Sequence, residues 1–418
     1  MKSSIRSKIQ AANEETVQIM LEAWDSVAWV ANEPAINVVP GMGPEVVLHA
    51  GPPIPWERMC SSMREGVIGG VLFEGLAGTR EEAIKLVESG KVKLTPAHEH
   101  RAVGGMTGIT TASMPMHVVL DKAHGIETYC RMHERKRALQ WGEHDEEVLQ
   151  QMSWMARVLS PLLSAAVKAR GGLPLKAITA RALQMGDECH NKNLAATSLL
   201  VREMMPYLLA LDWDKKELGQ VAHFLREDDG FYLHINMAAG KAIAEAAKNI
   251  EHSTIVTTIA RNGVEVGIRV SGLGDQWFTG PAGMLRGSYA PGFGDADVDA
   301  DMGDSAIMET MGLGGQIQAA APVFQQIVGG TLQDAINHTR EMMEISFGRN
   351  PAFVLPVLDF EAGPLGIDVL KVLETGITPL INSAMAAKKG GFAGAGQVRV
   401  PMECFTKAFR AFAEKYGV

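Results

Sequence analysis

The stretch Met185-Gly186-Asp187-Glu188-Cys189-His190-Asn191-Lys192-Asn193 sets the hardest condition on any fold this chain can adopt. It is dense in polar groups, yet apolar helical sequence lies on both sides: Ile178, Ala182 and Leu183 before it, Leu194, Ala195, Leu199, Leu200 and Val201 after it. If the segment runs as one helix, each residue advances about 100°. Leu183, Leu194, Val201 and Met205 then form one apolar stripe, with Asp187, His190 and Asn191 inside it. An acid, an imidazole and an amide on a core-facing stripe cost about 1–3 kcal/mol each when unsatisfied. They therefore need structural partners or a ligand cavity. The alternative is that Gly186 breaks the helix and Asp187 caps the second piece.

At 418 residues the chain exceeds the roughly 250–300 residues at which single cores stop growing, so it divides. Residues 1–144 read as an α/β domain. A leading helix spans 11–30, strands span 45–51 and 92–96, and an apolar run at 66–75 reads as a further strand. A helix begins near Trp56, and another at 79–89 has Thr79 as N-cap. Strand, helix, strand is the alternation of an α/β layer. Residues 96–116 form a glycine- and threonine-rich loop after a strand end, where α/β sites commonly lie. In extended backbone His98 and His100 share a side, a two-histidine pattern for which spacing assigns no third metal ligand. Strands at 117–120 and 126–131 follow. Residues 145–250 read as a mainly helical domain.

Residues 251–418 read as a second α/β domain, opening with a hairpin: 254–261, a type I′ turn at Asn262-Gly263, and 264–270. One face carries Ile255, Thr257, Ile259, Val264, Val266, Ile268 and Val270; the other carries Thr258, Glu265, Gly267 and Arg269. Arg269 precedes Ser271-Gly272-Leu273-Gly274, and glycine amides beside an arginine suit an anion cradle, or simply a turn. An acidic loop at 295–304 ends at a helix capped by Asp304 or Ser305. Later elements are a helix at 331–347, a strand at 352–358, a segment at 388–397 that reads as a flexible flap over an anionic ligand or, more often for such a sequence, a mobile surface loop, and a final helix from Pro401. The fold class expected is α/β (α+β), two α/β domains around a helical one.

A net charge of −9 with no long basic tract argues against a nucleic-acid binder. The one tight basic cluster, 131–137, is broken by Glu134 and reads as a solvated face. Cys60, Cys130, Cys189 and Cys404 are scattered and form no CxxC pair. No signal peptide and no membrane-length apolar run are present, so a reduced, cytoplasmic protein is expected. Neither a P-loop nor a dinucleotide fingerprint occurs, and no cofactor is expected.

Several motifs carry a resemblance over nearly the whole chain. They are Leu48-His49-Ala50-Gly51-Pro52-Pro53, Leu72-Phe73-Glu74-Gly75, Gly108-Ile109-Thr110-Thr111-Ala112-Ser113-Met114-Pro115-Met116, and Met185-Gly186-Asp187-Glu188 with His190 and Asn193. Arg261-Asn262-Gly263, Gly267-Ile268-Arg269-Val270-Ser271-Gly272-Leu273-Gly274, Asp301-Met302-Gly303-Asp304-Ser305-Ala306-Ile307 and Glu374-Thr375-Gly376-Ile377-Thr378-Pro379-Leu380-Ile381-Asn382 continue the series in order. The chain resembles the AllG-like (YlbE-like) family, long a domain of unknown function and linked to anaerobic oxamate carbamoyltransferase. The resemblance implies a subunit acting in purine and allantoin nitrogen catabolism. The implied reaction interconverts oxalurate plus phosphate with oxamate plus carbamoyl phosphate. It further implies FdrA-like and AllH-like partner subunits, an oligomeric assembly, and paralogues that handle other ureido acids. It brings no assigned catalytic residue.

Phosphorolysis of a ureido group needs bound phosphate, a polarised carbonyl and a proton for the leaving nitrogen. Roles are therefore expected as follows. His190 supplies the proton, oriented by Asp187 or Glu188, with Asn193 in the substrate site. Arg269, Ser271, Gly272 and Gly274, with Asp304 and Ser305, hold phosphate or carboxylate. His98, His100, Thr110 and Thr111 complete the carbonyl site. Two rivals stand beside this reading: a hydrolase with His98, His100, Asp187 and His190 on a divalent metal, and a non-catalytic scaffold that completes a partner's active site.

Overall fold

A computed structural model describes residues 3–135 and 137–418; Met1, Lys2 and Lys136 of the sequence features above lie outside the described residues. Helices and several small sheets make a mixed α/β fold. The leading helix, Ser3–Ser26, stops four residues short of the expected end. The β-branched and aromatic run Val27-Ala28-Trp29-Val30 instead opens the strand Val27–Pro34, which pairs antiparallel with Pro115–Asp121. Together with Ala102–Val103, Ile126–Arg131 and Leu173–Pro174 they form a five-stranded sheet. The helix Phe231–Ala246 lies against this sheet, where Thr128 Oγ1 donates to Ala238 O at 2.7 Å.

The strands Val46–His49 and Lys93–Pro96 pair in parallel. Between them the apolar run at 66–75 is no strand: most of it belongs to the helix Ser61–Phe73. A short apolar run fits either element by periodicity, and here its glycines decide. A Cβ at Gly66 would stand 2.9 Å from Ile109 Cγ1, and one at Gly69 would stand 2.3 Å from Leu139 Cδ1. The helix can approach residues 107–111 and 139 only without those side chains. The helix Arg80–Glu88 has a capping box of Thr79 and Glu82. In the basic cluster, Arg131 is buried against Glu134 at 2.6 Å rather than solvated.

The hairpin forms from Val256–Asn262 and Glu265–Val270 with Arg261 opposite Val266, so its turn is two residues longer than a type I′ pairing of Arg261 with Val264. Asn262 Oδ1 accepts from the amides of Val264 and Glu265 at 3.0 and 2.7 Å and closes this wider turn. A shift of two keeps side-chain parity, but a bulge between Val256 and Thr258 turns Val256, not Ile255, onto the apolar face with Ile259 and Ile268. Phe278–Pro281 and Met302–Gly303 flank the hairpin. The strand expected at 352–358 runs Ser346–Leu355 and pairs with Glu361–Ile367. Most of the expected flap is the strand Phe392–Arg399, paired to Leu380–Ala386, and Gly391 N donates to Trp141 O at 3.1 Å.

The largest apolar cluster draws on all three sequence stretches. Trp24 meets Phe353 edge-on at 5.0 Å, with Phe231 and Tyr232 of the Phe231–Ala246 helix in the same core.

Candidate active site

The polar stretch is not one helix. The helix Lys176–Gln184 ends, Gly186 takes φ +95°, and the helix Leu194–Leu209 begins after a turn. Asp187 is fully buried there; its Oδ2 accepts the Ala196 amide at 2.9 Å and Oδ1 meets Lys192 Nζ at 3.2 Å. It thus satisfies a free amide in the first turn of the second helix. Glu188 accepts from the amides of His190, Asn191 and Lys192 at 2.5, 2.7 and 2.9 Å, and burial pushes its carboxyl up to about 7. Both acids hold the loop in shape, and neither orients the His190 ring.

That task falls to Glu309. His190 Nδ1 lies 2.7 Å from Glu309 Oε1, and the same oxygen accepts the amides of Gly315 and Asn382 at 3.0 and 3.1 Å. A Cβ at Gly314, which has φ +58°, would come within 2.1 Å of that oxygen, so glycine is required there. Two backbone donors keep Oε1 an acceptor, which places the proton of the pair on Nδ1 and leaves Nε2 for chemistry. Glu309 was missed from sequence. Its signal was a lone acid in the apolar run Ile307-Met308-Glu309-Thr310-Met311, just before three glycines in four residues.

His190 lines a cavity of about 180 Å³ together with Trp141, Asn191, Asn193, His234 and Ser305. Trp141 Nε1, Asn191 Nδ2 and Asn193 Oδ1 have no hydrogen-bond partner among the described residues. Unsatisfied polar atoms around a cavity are what a polar ligand would complete. His133, also on the wall, is held by Asp228 Oδ2 at 2.8 Å.

Of the expected site residues, the structure brings His190, Asn193 and Ser305 to this cavity and takes the others elsewhere. His98 and His100 sit on a 3-10 turn, Ala97–His100, not extended backbone, and they diverge. His100 Nδ1 is 2.6 Å from Pro40 O and Nε2 is 3.1 Å from Thr95 Oγ1. His98 is buried with Nε2 3.4 Å from Asp304 Oδ1, and neither of its ring nitrogens has a hydrogen bond among the described residues. Burial lowers it to about 4. Asp304 caps no helix; it accepts the amides of Gly51 and Gly104 at 2.8 and 2.9 Å and so ties three loops together. Thr110 Oγ1 donates to Gly108 O, and Thr111 Oγ1 donates to Glu74 at 2.6 Å.

The expected anion cradle is not free. The amides of Ser271, Gly272 and Gly274 donate to Ile255 O, Ser253 O and Ser271 O. Arg269 stacks over Trp277 at 4.1 Å and pairs with Asp275 at 3.2 Å. Nor do His98, His100, Asp187 and His190 converge as a metal site would need: His98 lies beside Asp304, His100 is bonded to Pro40 and Thr95, Asp187 to Ala196 and Lys192, and His190 to Glu309. Among the described residues no group of three or more His, Cys, Asp or Glu is arranged to hold a metal ion.

A family profile described as oxamate carbamoyltransferase subunit AllG matches residues 92–305. The protein of Escherichia coli K12 named oxamate carbamoyltransferase subunit AllG is 41% identical over 396 residues, 93% of this chain and 94% of its own length. The chain belongs to the AllG family. The E. coli K12 protein named uncharacterized protein YahG is 43% identical over 419 residues, 100% of this chain and 88% of its own. A crystal structure of a conserved protein of unknown function from Enterococcus faecalis V583 superposes with a TM-score of 0.95 at 43% identity, covering 98% of this chain and 99% of that one. The AllG match takes in Trp141, His190, Asn193, His234 and Ser305, while Glu309 falls just beyond it. Among the described residues no helix is long and apolar enough to cross a membrane.

Proposed function

We propose that this chain is the subunit of a carbamoyltransferase in which a ureido acid of the oxalurate type is cleaved by phosphate, with His190 as general acid. The observation that carries the reading is the His190–Glu309 pair at 2.7 Å, set on the wall of a cavity with unsatisfied polar atoms. A phosphate oxygen attacks the carbamoyl carbon, and the carbonyl becomes a tetrahedral oxyanion. The carbon–nitrogen bond then breaks while His190 Nε2 delivers a proton to the departing oxamate nitrogen, leaving carbamoyl phosphate. Glu309 positions the ring and stabilises its protonated form, as a carboxylate does for a histidine acid–base. The reverse direction uses the same groups. The resemblance supplies the remaining context: FdrA-like and AllH-like partner chains and a role in anaerobic purine and allantoin nitrogen catabolism in the cytoplasm.

The test is His190→Asn in the reconstituted complex, following carbamoyl phosphate formation. The expected loss in kcat is about 10²–10⁴-fold, the share of a positioned acid. Turnover equal to that of the unmodified complex would sink the assignment and favour a scaffold role.

A further inference from the structure

None of the residues lining the His190 cavity is a lysine, arginine, aspartate or glutamate. Nearby arginines are already held by acids, Arg131 by Glu134 at 2.6 Å and Arg261 by Asp301 at 2.8 Å. An anion enclosed by these walls would lose its hydration without gaining a fixed countercharge, which is costly. What the walls offer is neutral. Trp141 Nε1–H and Asn191 Nδ2 are donors without partners. Asn193 Nδ2 donates to His190 O at 2.6 Å, which leaves its unpaired Oδ1 as an acceptor. His234 Nδ1–H donates to Arg131 O at 2.7 Å, and burial holds the ring's pKa well below its ordinary value. The neutral ring's Nε2 is therefore a bare acceptor. Gly105 lines the same cavity, and a Cβ there would come within 2.6 Å of that Nε2 and 3.3 Å of Gln140 Oε1. Glycine keeps the acceptor uncovered.

We infer that the cavity is a recognition site for an uncharged carbamoyl group, a carbonyl bearing a primary amide nitrogen. Trp141 Nε1 and Asn191 Nδ2 donate to its carbonyl oxygen, and Asn193 Oδ1 and His234 Nε2 accept from the N–H bonds of its amide. The carboxylate of the ureido acid and the incoming phosphate then lie toward the opening, beside Phe392, which is 43% exposed and meets Trp141 edge-on at 5.5 Å. The inference rests on the carbamoyl-transfer reading for its substrate class, but not on His190 as the acid.

The experiment reads the full chain by NMR with its seven tryptophan indoles labelled with nitrogen-15, the Trp141 signal being assigned with Trp141→Phe. Methyl carbamate and its N-methyl analogue are titrated separately. The Trp141 indole signal is expected to move saturably with methyl carbamate. Gly105→Ala, which crowds His234 Nε2, weakens the methyl carbamate response by about tenfold or more, as does N-methylation of the probe, which removes one N–H from its acceptors. A Trp141 signal unmoved by methyl carbamate, or moved equally by its N-methyl analogue, overturns the inference. None of this depends on turnover. If His190→Asn keeps making carbamoyl phosphate while Trp141 answers methyl carbamate, the acid assignment fails and the carbamoyl site stands.

Discussion

Two buried histidines, each beside a carboxylate, show how differently the same pair of groups can be used. His190 is bonded to Glu309 at 2.7 Å and has one side on a cavity. His98 lies 3.4 Å from Asp304, beyond hydrogen-bond quality for its geometry, and does not line that cavity. Asp304 is engaged instead by two backbone amides. A carboxylate already satisfied by amides holds loops, whereas one that shares an oxygen with an imidazole at a cavity wall prepares that imidazole for proton transfer. Proximity of His to Asp or Glu is therefore not the sign of a site; what the remaining nitrogen faces is.

The largest effect expected on this contrast is at Asp304. Asp304→Ala leaves the Gly51 and Gly104 amides unpaired in the interior, and at about 1–3 kcal/mol each the loss is about 2–6 kcal/mol, readable by urea unfolding. Glu309→Gln comes next. The amides of Gly315 and Asn382 hold the side-chain oxygen in place, so the tautomer of His190 is kept and only the charge is lost. The expected fall in kcat is about tenfold, less than for His190→Asn, with KM unchanged. A loss as large as that of His190→Asn would mean that the charge of Glu309, and not its geometry alone, carries the step.

His98→Leu should do little. It removes two unpaired buried nitrogens at similar volume, so stability stays within about 1 kcal/mol and the complex keeps its turnover. Lost turnover with an intact fold would put His98 in the same class as His190 and break the comparison. The smallest effect is in pH. Burial holds His98 at about 4 and His117 at about 3, against an ordinary 6.5. Between about 4 and 6.5 the unfolded chain binds protons that the folded chain refuses, so these groups make stability fall on acidification through that window. Glu188, raised to about 7 from 4.5, acts the opposite way, its folded carboxyl taking up a proton first. His98→Leu removes one histidine's share, and its Tm should drop less between pH 6.5 and pH 4; an unchanged slope would show that His98 is not held neutral.

Much of the site was visible as chemistry before it was visible as geometry. The stretch at 185–193 contains His190, Asn191 and Asn193 of the cavity wall. Its two acids were assigned the wrong work because a carboxylate two or three residues from a histidine reaches the loop's own amides more easily than the imidazole, as Glu188 does. Ser271-Gly272-Leu273-Gly274 failed for a related reason: amides counted as free were already donating to residues 253–255 and within the loop. Nothing in the sequence near Trp141 or His234 marks either as a residue of this cavity.

By itself the sequence determined the ordered series of motifs that places the chain in the AllG family, the capping box of Thr79 and Glu82, the hairpin about Asn262-Gly263 and the polar character of 185–193. The last three depend on residues within a few positions of one another, where steric and hydrogen-bond preferences are short-ranged, and each motif of the series is local in itself. The tertiary structure alone decided that His190 pairs with Glu309, 119 residues away, and that Trp141 and His234 line the same cavity as His190. Those choices follow from the packing of distant helices and strands on one another, because a buried polar group takes whichever partner the fold brings within about 3 Å.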